Sequence, residues 1–141
     1  MKCDVASGSF DVRLTPTSAP DAPVGAMSIS KVFRGDLDGA SVGQMLAIRT
    51  SVGGSAGYVA MERVTATLKS HKGTFALQHS GSMRKGVPSL TVTVVPDSGT
   101  DELAGLAGTM EIQVADGVHS YTFNYSLDEA PSLVDDAPGH S

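Results

Sequence analysis

The sequence predicts an all-β domain folded as a single antiparallel barrel of about eight strands. Segments in which apolar and polar residues alternate recur along the chain, which is the pattern of half-buried strands. The 16 glycines and 7 prolines are frequent between these segments, where tight turns need them. Long runs of strong helix formers are absent. With 141 residues, the chain has the length of one domain with an ordinary core.

The first four predicted strands span about residues 6–14, 26–34, 41–50 and 57–69. In the first, Phe10 and Val12 alternate with Asp11 and Arg13. The three prolines of residues 16–23 predict a loop after it. The third strand is apolar on both faces, and the fourth is the longest of the set.

The other four predicted strands span about residues 74–83, 89–95, 108–115 and 118–127. Asp116 and Gly117 form a hairpin signal between the last two. Residues 101–106 could form a short helical turn. The polar, proline-containing residues 128–141 show no periodicity and are predicted to be disordered. The barrel domain is therefore expected to span residues 1–127.

Short turns between successive strands predict an antiparallel meander, which removes its exposed edges by closing on itself. Eight strands enclose an interior that side chains can fill or that can hold one small ligand. A β-sandwich is the alternative architecture. The third and sixth strands are apolar, or nearly so, on both sides, so we expect a covered outer surface and a homo-oligomer, a dimer or higher.

Composition and charge make several functions and locations unexpected for this protein. The net charge is -5, the ten basic residues are scattered and tryptophan is absent, so nucleic-acid binding is not expected. No segment approaches the ~18 apolar residues of a membrane helix. The N-terminal residues do not resemble a secretory signal, and a single cysteine suits a reducing compartment, so a cytoplasmic location is expected.

Glu62 and His79 form the first candidate catalytic pair. If Leu68 pairs with Gly73 across a hairpin, Glu62 lies directly opposite His79 and Ala66 lies opposite Phe75. A two-residue slip would make Glu62 and His79 diagonal neighbours, still within reach. A buried carboxylate beside an imidazole suits general acid–base chemistry, and a purely structural buried pair is the alternative.

The candidate ligand-binding residues lie on apolar faces of the predicted strands. Lys31 shares its face with Ile29 and Phe33 and could supply a counter-charge to Glu62, although such a lysine also often reaches the mouth of a barrel. Alternatively this face points outward, because the alternation does not decide which faces of the second and third strands are inner. The tyrosine hydroxyls could orient a ligand or could belong to an aromatic core. The full set of expected ligand contacts is Lys31, Tyr58, Phe75, Met110, Tyr121 and Tyr125.

Two short motifs match known catalytic patterns by letter. Residues 53–57 match G-x-S-x-G, but a strand follows where the nucleophile elbow needs a helix. Residues 97–100 read D-S-G-T, as in aspartic proteases, which leaves a dimeric aspartic protease as a remote alternative. The histidines and Cys3 show no metal-ligand spacing, so neither a metal nor a cofactor is expected.

Several segments carry a resemblance to a known family: GDLDGASVGQML (35–46), GYVAMERVTATL (57–68), GTFALQHSGSM (73–83), PSLTVTVVPDSGTDELAGLAGTM (88–110) and HSYTFNYSL (119–127). Together they resemble a family of small, uncharacterised bacterial proteins similar in fold to allene oxide cyclase-like barrels. Residues 99–110 also resemble the glycine-rich turn before a late strand in allene oxide cyclases and dirigent proteins. The resemblance implies a calycin-like barrel but transfers no catalytic residue, since fold does not determine function.

The sequence thus favours a barrel whose cavity takes one hydrophobic or polyketide-like molecule. If it is an enzyme, a cofactor-independent cyclase or isomerase is expected, with Glu62 and His79 handling a proton. The alternatives are a non-catalytic carrier or sensor of hydrophobic ligands and a barrel with a filled interior. Small residues such as Ala47 and Ala60 favour a cavity.

Overall fold

A computed structural model describes residues 2–127 as a closed antiparallel barrel of eight strands, each paired with the next in the chain and the first paired with the last. This confirms the predicted fold class. The strands are β1 Lys2–Pro16, β2 Gly25–Gly35, β3 Leu37–Arg49, β4 Ala56–Leu68, β5 His71–Arg84, β6 Val87–Val94, β7 Ala107–Ala115 and β8 Val118–Leu127. A single 3-10 turn, Asp101–Leu103, lies between β6 and β7. The tail predicted to be disordered lies outside the described residues.

Several strands are longer than the alternation predicts, β1 and β3 among them. β1 begins at Lys2 rather than near residue 6, because Lys2 pairs with Leu127 and the pairing with β8 continues without a break to His119. β3 begins at Leu37 rather than near residue 41, because Leu37 pairs with Leu68 of β4. In both cases backbone pairing with a neighbouring strand extends a segment whose own pattern is weak.

The register of the β4–β5 hairpin differs from the prediction by two residues. Leu68 pairs with His71 rather than with Gly73. The turn contains only Lys69 and Ser70, both with positive φ, at 44° and 83°, as two-residue hairpin turns require. Because side chains alternate with a period of two, this shift leaves every residue on its predicted face.

The shorter turn changes the partners across the hairpin. Leu77, rather than His79, lies opposite Glu62, and His79 lies opposite Ala60. Val64, rather than Ala66, lies opposite Phe75. Glu62 and His79 are therefore diagonal neighbours, the second of the two arrangements that the alternation allows.

One half of the barrel is filled with side chains. It lies at the end that carries the β2–β3 and β4–β5 turns and the long β6–β7 connection, residues 95–106. We call it the filled half, and its fully buried side chains are Phe33, Leu37, Val64, Leu68, Phe75, Leu77 and Phe123. No more than 1% of the surface of any of them is exposed.

The β6–β7 connection closes the end of the barrel at the filled half. It inserts Leu103 and Leu106, which are 0% and 2% exposed. The connection is held to β5 by two hydrogen bonds of 3.0 Å, in which the backbone amides of Ala76 and Thr74 donate to the hydroxyls of Ser98 and Thr100. The D-S-G-T motif therefore has a structural role, which gives no support to the aspartic protease alternative.

The outer surface of β3 and β4 is apolar. Its side chains Val42, Leu46, Ile48, Val59 and Met61 are each about half exposed or more. The outer face of β6, by contrast, carries Ser89, Thr91 and Thr93. The expected homo-oligomer stays a prediction, which sedimentation velocity would test. Within residues 2–127, no helix has the length and apolar character needed to cross a membrane.

Candidate functional site

The other half of the barrel is hollow. It contains a cavity of about 500 Å³, at the end that carries the loops of residues 17–24, 50–55 and 85–86 and the turn of residues 116–117. We call it the hollow half. Apolar side chains form most of its walls, among them Phe10, Val12, Ile29, Met45, Ala47 and Ile112. Leu14, Met83 and Leu90, which also line the cavity, are 41–47% exposed and so mark its mouth.

Two ionisable side chains form the floor of this cavity, and a third lies directly behind them. We call Lys31 from β2, Glu62 from β4 and His79 from β5 the charged layer, because they separate the hollow half from the filled half. Lys31 Nζ lies 2.9 Å and His79 Nε2 lies 2.5 Å from the same oxygen, Oε2 of Glu62. All three are nearly buried, with 6%, 2% and 5% of their surfaces exposed. The contact of Glu62 with both His79 and Lys31 is thus confirmed.

Both oxygens of the Glu62 carboxylate accept hydrogen bonds. Its second oxygen, Oε1, accepts a hydrogen bond of 2.7 Å from the hydroxyl of Ser41 on β3. Burial by itself raises the pKa of Glu62, but the His79 and Ser41 hydrogen bonds and the Lys31 charge outweigh it and lower the pKa to about 2. Glu62 is therefore a carboxylate at neutral pH, held behind Lys31 and His79, and its side chain does not line the cavity.

The ionised carboxylate determines which nitrogen of His79 carries hydrogen. A carboxylate only accepts hydrogen bonds, so Nε2 must be the N–H that donates to it. The other ring nitrogen, Nδ1, has no hydrogen-bond partner among residues 2–127, and the ring lines the cavity. His79 thus has one nitrogen committed to Glu62 and one left for a molecule in the cavity.

Lys31 is held by an ion pair and by aromatic rings. Besides its contact with Glu62, Nζ lies 4.9 Å from the centre of the Phe10 ring and 5.8 Å from that of Phe33. Such cation–π contacts stabilise a buried ammonium group. Lys31 lines the cavity, so its remaining N–H groups can meet a ligand.

Two glycines make room for the site. A β-carbon on Gly43 would lie 2.8 Å from Cβ of Glu62, its partner on β4, and one on Gly81 would collide with the ring of Tyr58. Glycine in a strand interior is costly unless something approaches closely. Gly43 and Gly81 therefore allow Glu62 and Tyr58 to turn inward. A glycine within an alternating segment, as at Gly81, is the sequence signal of such a close approach.

Of the three tyrosines predicted to contact a ligand, only Tyr58 lines the cavity. Its ring centre lies 6.5 Å from that of His79. Burial and the Glu62 charge raise the pKa of Tyr58, which keeps its hydroxyl neutral. Tyr58 can therefore donate a hydrogen bond to a ligand near the charged layer.

The structure places the other two tyrosines away from the cavity. The Tyr121 hydroxyl accepts a hydrogen bond of 2.9 Å from the Leu37 amide and donates one of 2.9 Å to the Arg34 carbonyl, which ties it to the β2–β3 turn. The Tyr125 hydroxyl donates to Asp4 at 3.3 Å, and burial together with the Asp4 charge raises its pKa to about 12. Both hydroxyls are structural.

Phe75 and Met110, predicted to contact a ligand, also belong to the filled half. Phe75 stacks on Phe123 with ring centres 6.0 Å apart, and Met110 is 4% exposed within the same core. Their inward direction agrees with the alternation, but their height along the barrel places them below the charged layer. Ile112, two residues nearer the mouth on β7, lines the cavity in place of Met110.

The site residues that the prediction missed include Ser41, Met45, Ile112 and His119. All lie on inward faces, so the alternation could have identified them as candidates. Among residues 2–127, no three histidine, cysteine, aspartate or glutamate side chains lie together as a metal site would require.

Comparison with known proteins places this fold in a family without an assigned function. Residues 6–125 match the family described as "Protein of unknown function (DUF3224)". The crystal structure of a DUF3224 protein of unknown function from Shewanella oneidensis MR-1 is 43% identical to this chain, with a TM-score of 0.85, and the match covers 92% of this chain and 100% of that one. No curated protein matches. The similarity to allene oxide cyclases stays a prediction. The chain belongs to the DUF3224 family.

Proposed function

We propose that this protein binds one small, largely apolar or polyketide-like molecule in the cavity of the hollow half. The observation that carries the proposal is a cavity of about 500 Å³ with apolar walls and a charged floor. Ligand sites in proteins have this size, with apolar walls and a few convergent polar groups. The apolar walls would bind the body of the molecule, and Lys31, Tyr58 and His79 would orient its polar atoms.

The same site supports a cofactor-independent isomerase or cyclase. Lys31 and His79 supply a fixed cation and an unpartnered ring nitrogen at one end of a cavity that limits the conformations of its ligand. Holding a reactive conformer beside an acid–base group lowers a barrier without a cofactor. The resemblance to allene oxide cyclase-like barrels agrees with this class of reaction. A non-catalytic carrier or sensor would need the walls but not the free nitrogen of His79.

Binding of the uncharged fluorophore N-phenyl-1-naphthylamine tests the proposal. The chain has no tryptophan, so an increase in probe emission is read without tryptophan fluorescence beside it. We expect one probe per barrel. Ala47→Leu, which fills part of the cavity, should weaken binding at least about tenfold, since it removes the space that the probe occupies.

Met61→Ser is the matched control. Met61 lines a groove on the outer surface of β3–β5 rather than the cavity, and it is 49% exposed. If probe binding falls with Met61→Ser and persists with Ala47→Leu, the ligand site is on the outside and the proposal is wrong.

A further inference from the structure

We propose that the charged layer is a site for keto–enol chemistry on an apolar carbonyl compound, a ketone or a β-dicarbonyl. Lys31 binds the carbonyl oxygen, and Nδ1 of His79 exchanges a proton with the adjacent carbon. The inference rests on the proposed function, because it names the substrate class of that same cavity.

Two polar side chains at the floor of the cavity have hydrogen-bonding capacity that no group within residues 2–127 satisfies. His79 is 5% exposed, and its Nδ1 has no partner within residues 2–127. Of the three N–H groups of Lys31, one donates to Glu62. Buried polar groups without partners are rare in native proteins because they are costly. A ligand with one oxygen acceptor and one transferable proton would satisfy both residues together.

Geometry brings these groups within reach of one small molecule. His79 Nε2 and Lys31 Nζ both bind Oε2 of Glu62, at 2.5 and 2.9 Å. Nε2 and Nζ can therefore be no farther apart than the sum of these two lengths, and Nδ1 lies within one imidazole ring width of Nε2. One small ligand can span this separation, because its carbonyl oxygen accepts a hydrogen bond from Nζ and its adjacent C–H bond is directed at Nδ1, with a hydrogen-bond length at each end.

Glu62 prepares His79 to act as the base. Its carboxylate holds the hydrogen on Nε2, so in the neutral ring the lone pair lies on Nδ1. Glu62 itself does not line the cavity, which makes it a positioning residue. His79 and Lys31 are the catalytic residues of the proposed step.

The step balances within the site. The C–H bond next to the carbonyl breaks, its electron pair forms a C=C bond, and the C=O π pair moves to oxygen as an enolate. The proton goes to Nδ1 of His79. Return of that proton to the same carbon exchanges it, and return to a conjugated carbon shifts a double bond. No oxidant or reductant is needed.

Charge compensation favours a neutral substrate. Lys31 and Glu62 cancel in the resting site, so a neutral ketone enters without a counter-ion. The step creates one negative charge, on the enolate oxygen beside Lys31, and one positive charge, on His79 beside Glu62. Each new charge thus meets a fixed opposite charge, which is how an active site stabilises charge that develops during a reaction.

Hydrogen–deuterium exchange of 2-tetralone in deuterated buffer, followed by proton NMR, tests the step. We expect the protein to accelerate loss of the signals next to the carbonyl. His79→Gln should reduce the protein-dependent rate at least about 100-fold, since a positioned base contributes that much or more. Lys31→Met should also reduce it. His71→Gln, which changes an exposed histidine at the opposite end of β5, should leave it unchanged.

A binding measurement separates this inference from the proposed function and does not need activity. 2-Naphthol has the shape of the enol of 2-tetralone, and 2-methoxynaphthalene is its match without the hydroxyl. We expect 2-naphthol to bind the unaltered protein at least about tenfold more tightly, and the preference to disappear in Lys31→Met, because a charge-assisted hydrogen bond is lost.

Each outcome has a defined consequence. If both naphthalene compounds bind equally and 2-tetralone does not exchange, the proposed function stands and the keto–enol site is wrong. If neither compound binds, the proposed function fails as well. If exchange survives His79→Gln but is lost in His119→Gln, the base lies at the cavity mouth and the inference is overturned. Should His79→Gln not fold, the naphthol preference still decides the question.

Discussion

The filled and hollow halves of the barrel are built from the same eight strands and differ in the side chains that point inward. In the filled half the inward positions carry Phe33, Leu68 and Phe123, each fully buried. In the hollow half they include Ala47 and Ala60. The backbone encloses both halves alike, so the size of the inward side chains decides whether a section of barrel is core or cavity.

The charged layer lies where the two halves meet. Its three groups bond to one another on the side of the filled half. Nδ1 of His79 and the remaining N–H groups of Lys31 are left to face the cavity. A buried charge needs a partner, and here each charge has one. This molecule therefore separates stability from ligand contact by height along the strands. Variants in each half and in the charged layer test that separation.

The largest expected effect is on the charged layer. Glu62→Gln removes the negative partner and leaves Lys31 buried without compensation, which should lower the free energy of unfolding by about 4 kcal/mol. Denaturant unfolding followed by circular dichroism measures it. The double variant Glu62→Gln/Lys31→Met should recover most of the loss, because no buried charge is left unpaired. A double variant as unstable as the single one would show that the pairing is not the cause.

The next effect contrasts leucines in the two halves. Leu68→Ala, at a position with no exposed surface, should cost about 3 kcal/mol of unfolding free energy, because it leaves a cavity in a filled core. Leu14→Ala changes a residue that is 47% exposed at the cavity mouth and should cost less than about 1 kcal/mol. Equal losses in the two variants would mean that the halves are packed alike.

Acid should weaken the charged layer. The pKa of Glu62 is about 2 in the folded protein and 4.5 as a reference, so the stability it contributes is present above about pH 4.5 and is lost as the pH falls toward 2. The loss should reach about 2 kcal/mol at pH 3. Denaturant unfolding from pH 6 to pH 3 measures the slope. The double variant Glu62→Gln/Lys31→Met should lack this contribution, and an identical slope would contradict the assignment to Glu62.

The smallest expected loss of unfolding free energy is for an alanine enlarged in the hollow half, compared with one enlarged in the filled half. Ala47→Leu projects into the cavity and should change the free energy of unfolding by less than about 1 kcal/mol. Ala66→Leu projects into the filled half, where Gly39 lies so close that a β-carbon on it would be 2.6 Å from Cβ of Ala66. It should cost about 1–3 kcal/mol through overpacking. Thermal melts of both variants make the comparison, and a larger loss for Ala47→Leu would reverse our assignment of the halves.

Much of this fold could be predicted from alternation alone, because alternation is a local property of a strand. It identified the eight strands and placed Glu62 and His79 on inward faces, but it left open which face of the second strand, which carries Lys31, points inward. The register error at β4–β5 left this assignment intact, since a shift of two residues changes partners but not faces. The diagonal contact of Glu62 with His79 was one of the two arrangements that the sequence allows.

Height along the barrel could not be predicted in this way. Tyr121, Tyr125, Phe75 and Met110 point inward as expected, yet they lie in the filled half, where the tyrosine hydroxyls bond to the protein itself. A residue's height depends on how each strand is staggered against its neighbours around the closed barrel. That stagger follows from the turns and from all eight pairings together.

The alternation within each strand was thus enough to predict the fold class and the pairing of Glu62 with His79, because a two-residue period is a property of one strand. The assembled barrel established which faces of β2 and β3 point inward, and where the core ends and the cavity begins. It did so by inserting Leu103 and Leu106 from the β6–β7 connection into one end and leaving small side chains at the other. That division depends on side chains from distant strands meeting at one height, which cannot be predicted from the residues of any single strand.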